Sequence, residues 1–138
     1  MQAIGYNGCE FIELEKPLES PTAHDLLVEI KAISINPIDT KVKQTIAQDS
    51  ESKILGYDAC GVVRAIGEKV SLFNVGDEVF YAGDVTRDGS NATHQLVDER
   101  IVGRKPKSLN FEQAAALPLT SITAWESLFD RLKITSKD

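Results

Sequence analysis

The sequence predicts a mainly β domain with a few short helices, built as a small barrel or sandwich. Three observations carry this. Short apolar segments follow one another through the first two thirds of the chain. Turn signals rich in Gly, Asn and Asp separate them. Apart from one short helix near Pro37, helical periodicity waits until after Pro106. The 138 residues fit one domain, and 42% hydrophobic with 26% charged residues suffice for an ordinary core.

The first two segments, Met1–Tyr6 and Phe11–Glu15, are expected strands, with Asn7-Gly8 between them as a hairpin turn. Pro17 to Asp25 is a polar loop with two prolines. Leu26–Ile35 alternates: Leu26, Val28, Ile30 and Ala32 form a wholly apolar side, as a half-buried strand requires. Asn36-Pro37 ends it. Pro37 suits a first helical turn, Asn36 an N-cap and Asp39 the positive end of the helix, so Pro37–Ile46 is expected to be helical. Asp49 to Ser52 is a polar loop. Gly56–Ile66 is the most apolar strand candidate, followed by turns at Gly67-Glu68-Lys69 and Asn74-Val75-Gly76-Asp77. Glu78–Ala82, Ala92–Val97 and Arg100–Arg104 are further expected strands, with Gly83 to Asn91 a polar loop.

After Pro106 the texture changes. Ser108–Leu117 carries an alanine run and reads as a helix that Pro118 breaks. Thr120–Leu132 places Ile122, Trp125, Leu128, Phe129 and Leu132 at helical spacing, an amphipathic pattern.

Charge narrows the function. With 15 basic and 21 acidic residues the net charge is -6, which repels a phosphate backbone and argues against nucleic acid. No apolar run approaches the roughly 20 residues that span a bilayer, so no membrane partner is expected. The N-terminus lacks a signal-peptide pattern, and a cytoplasmic location is expected. Cys9, Cys60, His24 and His94 are far apart, with no C-x-x-C or H-x-x-x-H, so no local metal knuckle exists. A Cys9–Cys60 disulfide is disfavoured in a reducing compartment.

Four segments carry a resemblance. Ser34-Ile35-Asn36-Pro37-Ile38-Asp39-Thr40-Lys41, Gly56-Tyr57-Asp58-Ala59-Cys60-Gly61-Val62-Val63 and Val75-Gly76-Asp77-Glu78-Val79 resemble successive motifs of the medium-chain dehydrogenase/reductase superfamily. Leu117–Trp125 resembles that family's hinge into its nucleotide domain. The subgroup most similar is the quinone oxidoreductase-like, or zinc-type alcohol dehydrogenase-like, one. The resemblance implies a GroES-like, partly open β-barrel over residues 1–118. It further implies a hinge helix over residues 119–138 leading to a Rossmann domain. The glycines never form G-x-G-x-x-G, so the half that binds most of the cofactor is expected to lie outside this sequence.

The resemblance also locates a departure. Zinc-dependent relatives place Cys, His and Glu where this sequence has Asn36, Tyr57 and Asp58, and Gly83–Asn91 replaces their four-cysteine lobe. A carboxamide and a phenol are poor zinc ligands, so no zinc is expected. What the resemblance then implies is a zinc-independent reductase that takes hydride from NADPH to a quinone or an α,β-unsaturated carbonyl. Asn36 and Tyr57 would lie at the reacting centre, Asn36 and Thr123 would contact the nicotinamide end, and Asp39 and Asp58 would orient these groups. A zinc-dependent alcohol dehydrogenase and a non-enzymatic GroES-like binding module are the competing readings. The apolar face of the last helix is expected to pair with a second copy of the isolated chain.

Overall fold

The structure, a computed structural model, describes residues 1–48 and 50–135. Asp49, in the expected loop at 49–52, and residues 136–138 of the expected hinge segment lie outside the described residues.

The first hairpin forms where the turn chemistry predicts it. The Asn7 side-chain carbonyl accepts from the Cys9 and Glu10 N–H groups, both at 2.9 Å. Gly8 takes a φ of 94°, a left-handed conformation natural to glycine. This turn joins β1 (Gln2–Tyr6) to β2 (Phe11–Glu15), paired antiparallel from Gln2↔Glu15 to Tyr6↔Phe11. A two-residue strand, Lys53–Ile54, pairs with the other edge of β1. The sequence reading missed it, because two residues show no alternation.

The second sheet is built from Asp25–Ser34, Asp58–Ile66, Glu78–Ala82, His94–Asp98 and Gly103–Arg104. With Lys53–Ile54 as β4, these are β3, β5, β6, β7 and β8, in the spatial order β7-β3-β5-β6-β8. An isolated bridge, Ala3↔Ala92, connects the two sheets. Among the described residues the sheets are open rather than closed into a barrel, in keeping with the partly open barrel expected.

Three expectations are corrected here. The β3 alternation holds only in its second half: Leu26, Leu27 and Val28 are all buried. Register shifts between Leu27 and Val28 and between Ile30 and Ala32 disrupt the two-residue period. Arg100–Arg104 is not one strand. Glu99–Ile101 is a 3-10 turn capped by the Asp98 carboxylate, which accepts from the Arg100 N–H at 2.9 Å, and only Gly103–Arg104 joins the sheet. The first helix, α1, ends at Lys43 rather than Ile46.

The C-terminal region is helical as expected, with refinements. The helix α2 is Phe111–Ala115, opened by Asn110, whose side chain accepts from the Gln113 N–H at 2.8 Å. Pro118 does interrupt the helical run, and it also sits in the first turn of α3 (Pro118–Trp125). From Glu126 to Arg131 the chain continues as a π-helical segment rather than as α-helix. Looser winding shifts the side chains relative to the α period, yet Ile122, Trp125, Leu128, Phe129 and Leu132 all remain exposed.

The main core gathers Leu26, Val28, Ala59, Val63, Phe73, Val79, Tyr81 and Val97 between β3, β5, β6 and β7. A second cluster packs Cys60 against Ala114 and Ala115. The small alanine side chains let α2 approach the sheet closely, and this seats the start of α3 beside the beginning of β5.

Candidate functional site

Pairing brings the first two motifs together. Ser34 at the end of β3 faces Asp58 at the start of β5. Asn36, two residues past Ser34, therefore reaches Asp58, and its Nδ2 donates to Asp58 Oδ2 at 2.8 Å. The same amide nitrogen lies 3.5 Å from the Ser34 carbonyl. The Asn36 N–H donates to Asp39 Oδ2 at 2.7 Å, and the Asn36 side chain faces the Asp39 N–H, which together form a capping box at the start of α1. Asn36 and Asp39 are both buried.

Gly56 shapes the approach to β5. Its φ is 98°, and a Cβ there would lie 2.6 Å from the Ser90 hydroxyl and the Asn91 side chain. The Gly83–Asn91 loop is thus laid directly over this turn, held by Ser90 N–H to Gly56 carbonyl and Asn91 N–H to Leu55 carbonyl, both at 2.9 Å.

Asp58 is fully buried, and both carboxylate oxygens are used. Oδ2 accepts from Asn36 and Oδ1 from the Leu119 N–H at 2.8 Å. Leu119 lies in the first turn of α3, where N–H groups have no intrahelical partner, so Asp58 caps a helix 61 residues away in sequence. Burial pushes the Asp58 carboxyl above the usual aspartate value. The Asn36 and Leu119 hydrogen bonds oppose this, and the charge of Asp39 adds to it.

Tyr57 is 2% exposed, and its hydroxyl has no hydrogen-bond partner among the described residues. Burial and then the charge of Asp39 hold the phenol above its usual value, so it is a neutral donor at ordinary pH. A buried hydroxyl without a partner costs about 1–3 kcal/mol, so each such group calls for an explanation.

The structure links Asn36, Asp39 and Asp58 by hydrogen bonds, with Tyr57 next to Asp58 in the chain. Thr123 lies one helical turn beyond Leu119; it is exposed, and its hydroxyl donates back to the Leu119 carbonyl at 3.0 Å. Cys60 is buried against alanines, its thiol pushed up to about 11 by burial. Cys9 and Cys60 are both free thiols. His94 Nδ1 lies 3.2 Å from the Thr93 hydroxyl. The contribution of the Leu119 N–H was missed. Pro118 marked the helix start, but no residue pattern says which distant carboxylate caps it. One surface cavity is bordered by Lys16, Arg87 and His94, and another by Ile4, Glu13 and Ile33 together with Ser90 and Asn91, which cover the Gly56 turn.

Comparison with known proteins decides the family. Residues 22–115 match the alcohol dehydrogenase GroES-like domain. The chain belongs to this family. It is an N-terminal domain of the medium-chain dehydrogenase/reductase superfamily. It is 43% identical over 144 residues to a zinc-type alcohol dehydrogenase-like protein of Staphylococcus epidermidis, covering 99% of this chain and 43% of that protein. A Rhizobium etli CFN 42 protein, provisionally named a zinc-dependent alcohol dehydrogenase, superposes with a TM-score of 0.90 at 54% identity, over 96% of this chain and 41% of that one. Escherichia coli quinone oxidoreductase, solved with NADPH, superposes with a TM-score of 0.79 at 26% identity, over 93% of this chain and 40% of that one. The chain thus spans about two fifths of the length of these relatives.

The relatives' names raise zinc, and the donor set answers poorly to it. Zinc takes thiolate, imidazole or carboxylate. Asn36 and Tyr57 offer a carboxamide and a phenol, and Asp58 spends both oxygens on N–H donors. The thiol of the same motif, Cys60, is buried against Ala114 and Ala115. Among the described residues no group of three His, Cys, Asp or Glu side chains converges as a metal site. No helix among them is long and apolar enough to cross a membrane.

Proposed function

We propose that residues 1–118 are the substrate side, and residues 119–138 the hinge, of a zinc-independent NAD(P)H-dependent reductase of quinones or α,β-unsaturated carbonyls. NADPH is the expected hydride donor. The observation that carries the reading is the Tyr57 hydroxyl, buried, neutral and unpartnered among the described residues, where a zinc enzyme would place an imidazole.

The chemistry follows from what these side chains can give. Bound NADPH supplies the hydride. An acceptor carbon conjugated to a carbonyl would take it, leaving negative charge on the carbonyl oxygen. Once uncovered to that oxygen, the Tyr57 hydroxyl would donate a hydrogen bond and then a proton to it, and solvent would reprotonate the phenolate. Such an acceptor is already electrophilic, so it needs no Lewis acid. Oxidising a simple alcohol does require help in ionising the hydroxyl, and Asn36 and Tyr57 provide none. Asn36 serves by position: its amide protons point to Asp58 and Ser34, and the capping box holds it at the entrance to α1. Thr123, exposed on the hinge helix, is assigned to the nicotinamide end.

The test is an assay of the full-length protein with NADPH, a benzoquinone and an enone, together with zinc determination. Oxidation of NADPH dependent on acceptor, in protein free of zinc, is the expected result. Stoichiometric zinc with alcohol oxidation would overturn the proposal.

A further inference from the structure

Resting on that reading, we propose that Asp58 is a positioning residue that joins the hinge to the reacting centre. One carboxylate holds the Leu119 N–H on one oxygen and the Asn36 carboxamide on the other. It therefore sets two things together: where α3 leaves the sheet, and which end of the Asn36 carboxamide faces which neighbour.

The argument is one of donors and acceptors. An ionised carboxylate only accepts. Leu119 can only donate, since its contribution is a backbone N–H. Asn36 must then turn its NH2 toward Asp58, which sends its carbonyl oxygen toward the α1 N-terminus. The Asn36 Nδ2 to Asp58 Oδ2 distance is 2.8 Å, and the Asp39 N–H donates to the Asn36 main-chain carbonyl at 3.0 Å. Asp58 thereby caps α3 directly, while holding Asn36, the residue that opens α1. Any shift of α3 pulls on Asn36 through two short hydrogen bonds to one rigid group. If the hinge carries Thr123 toward a cofactor, Asp58 is where that movement reaches the substrate side.

Protonating Asp58 should weaken both links at once. Asp39 on α1 is the charge that bears on it, α3 carries no charged side chain, and Tyr57 is its neighbour in sequence. Lowering the pH should thus move the Leu119 amide and the Asn36 side-chain amide together.

The experiment is a 15N-correlated NMR titration of this 138-residue chain, with hydrogen exchange, on the wild type and on Asp58→Asn and Asp58→Ala. In the wild type, both signals should titrate with one shared midpoint above that of an ordinary aspartate. Asp58→Ala should raise Leu119 amide exchange about tenfold to a hundredfold. Asp58→Asn can still accept from Leu119, but it now presents NH2 to Asn36. It should keep Leu119 protected while the Asn36 carboxamide reverses and its NH2 signals shift. Separate midpoints for the two groups, or no change at Asn36 in Asp58→Asn, would overturn the proposal. If Asp58→Ala fails to fold, the wild-type titration and Asp58→Asn decide alone. None of these readings needs turnover. Joint titration with no reductase activity keeps the linkage and rejects the reductase reading; activity with independent titrations does the reverse.

Discussion

Replacing Tyr57 by Phe should make this domain more stable and, in the full-length protein, less active. The substitution removes one oxygen and leaves the ring. Tyr57 is 2% exposed, so the ring packing is retained and only the hydroxyl's account changes. That hydroxyl is buried and has no hydrogen-bond partner among the described residues. An unmet buried polar group costs about 1–3 kcal/mol, and the small void left by the oxygen offsets part of this gain. A net stabilisation of about 1 kcal/mol is expected, which for a chain of this length raises Tm by about 3–4 °C. Thermal unfolding of the wild-type and Y57F chains, followed by circular dichroism at neutral pH, measures it. In the full-length reductase the same change should lower kcat by about a hundredfold or more. Opposite signs for stability and turnover are what a functional group held at a structural cost produces. A Y57F Tm at or below that of the wild type would refute the reasoning, since it would mean that the hydroxyl is satisfied in the folded chain.

Three further outcomes are expected. The buried Glu99 carboxylate accepts from His24 Nδ1 at 2.9 Å and from the Ser71 and Leu72 N–H groups, and these hold it below the usual glutamate value, His24 first. Its contribution to stability is present above the unfolded value and is lost as pH falls through the lower folded one. Glu99→Gln should therefore flatten the acid side of a Tm-against-pH curve, and an unchanged acid limb would count against the role. A maleimide reagent should label Cys9 within minutes and spare Cys60, which is buried with its thiol pushed up to about 11; mass spectrometry showing two rapid additions would contradict this. The exposed Trp125, Leu128 and Leu132 should pair isolated chains, so light scattering is expected to show concentration-dependent mass that Trp125→Asp lowers. A wild-type monomer at all concentrations would remove that prediction.

Much of this molecule is written locally. Phe11–Glu15 and Glu78–Ala82 match their expected bounds, and the Asn7-Gly8 turn forms through the predicted chemistry, because each depends on neighbours in sequence. The family motifs carrying Asn36, Tyr57 and Asp58 were equally legible, since each is a contiguous run in the sequence. The 3-10 turn at Glu99–Ile101 was not legible, nor was the two-residue strand Lys53–Ile54, because partners far along the chain select them. Nor could the sequence show that Tyr57 is left without a partner while Asp58 has two. Hydrogen-bond satisfaction is decided by what arrives from elsewhere: Ser34 pairing with Asp58 brings Asn36 within reach, and alanine packing under α2 brings the Leu119 N–H. The sequence by itself determined which chemical groups this domain has; the tertiary structure decided which of them are spent on one another and which remain free to act.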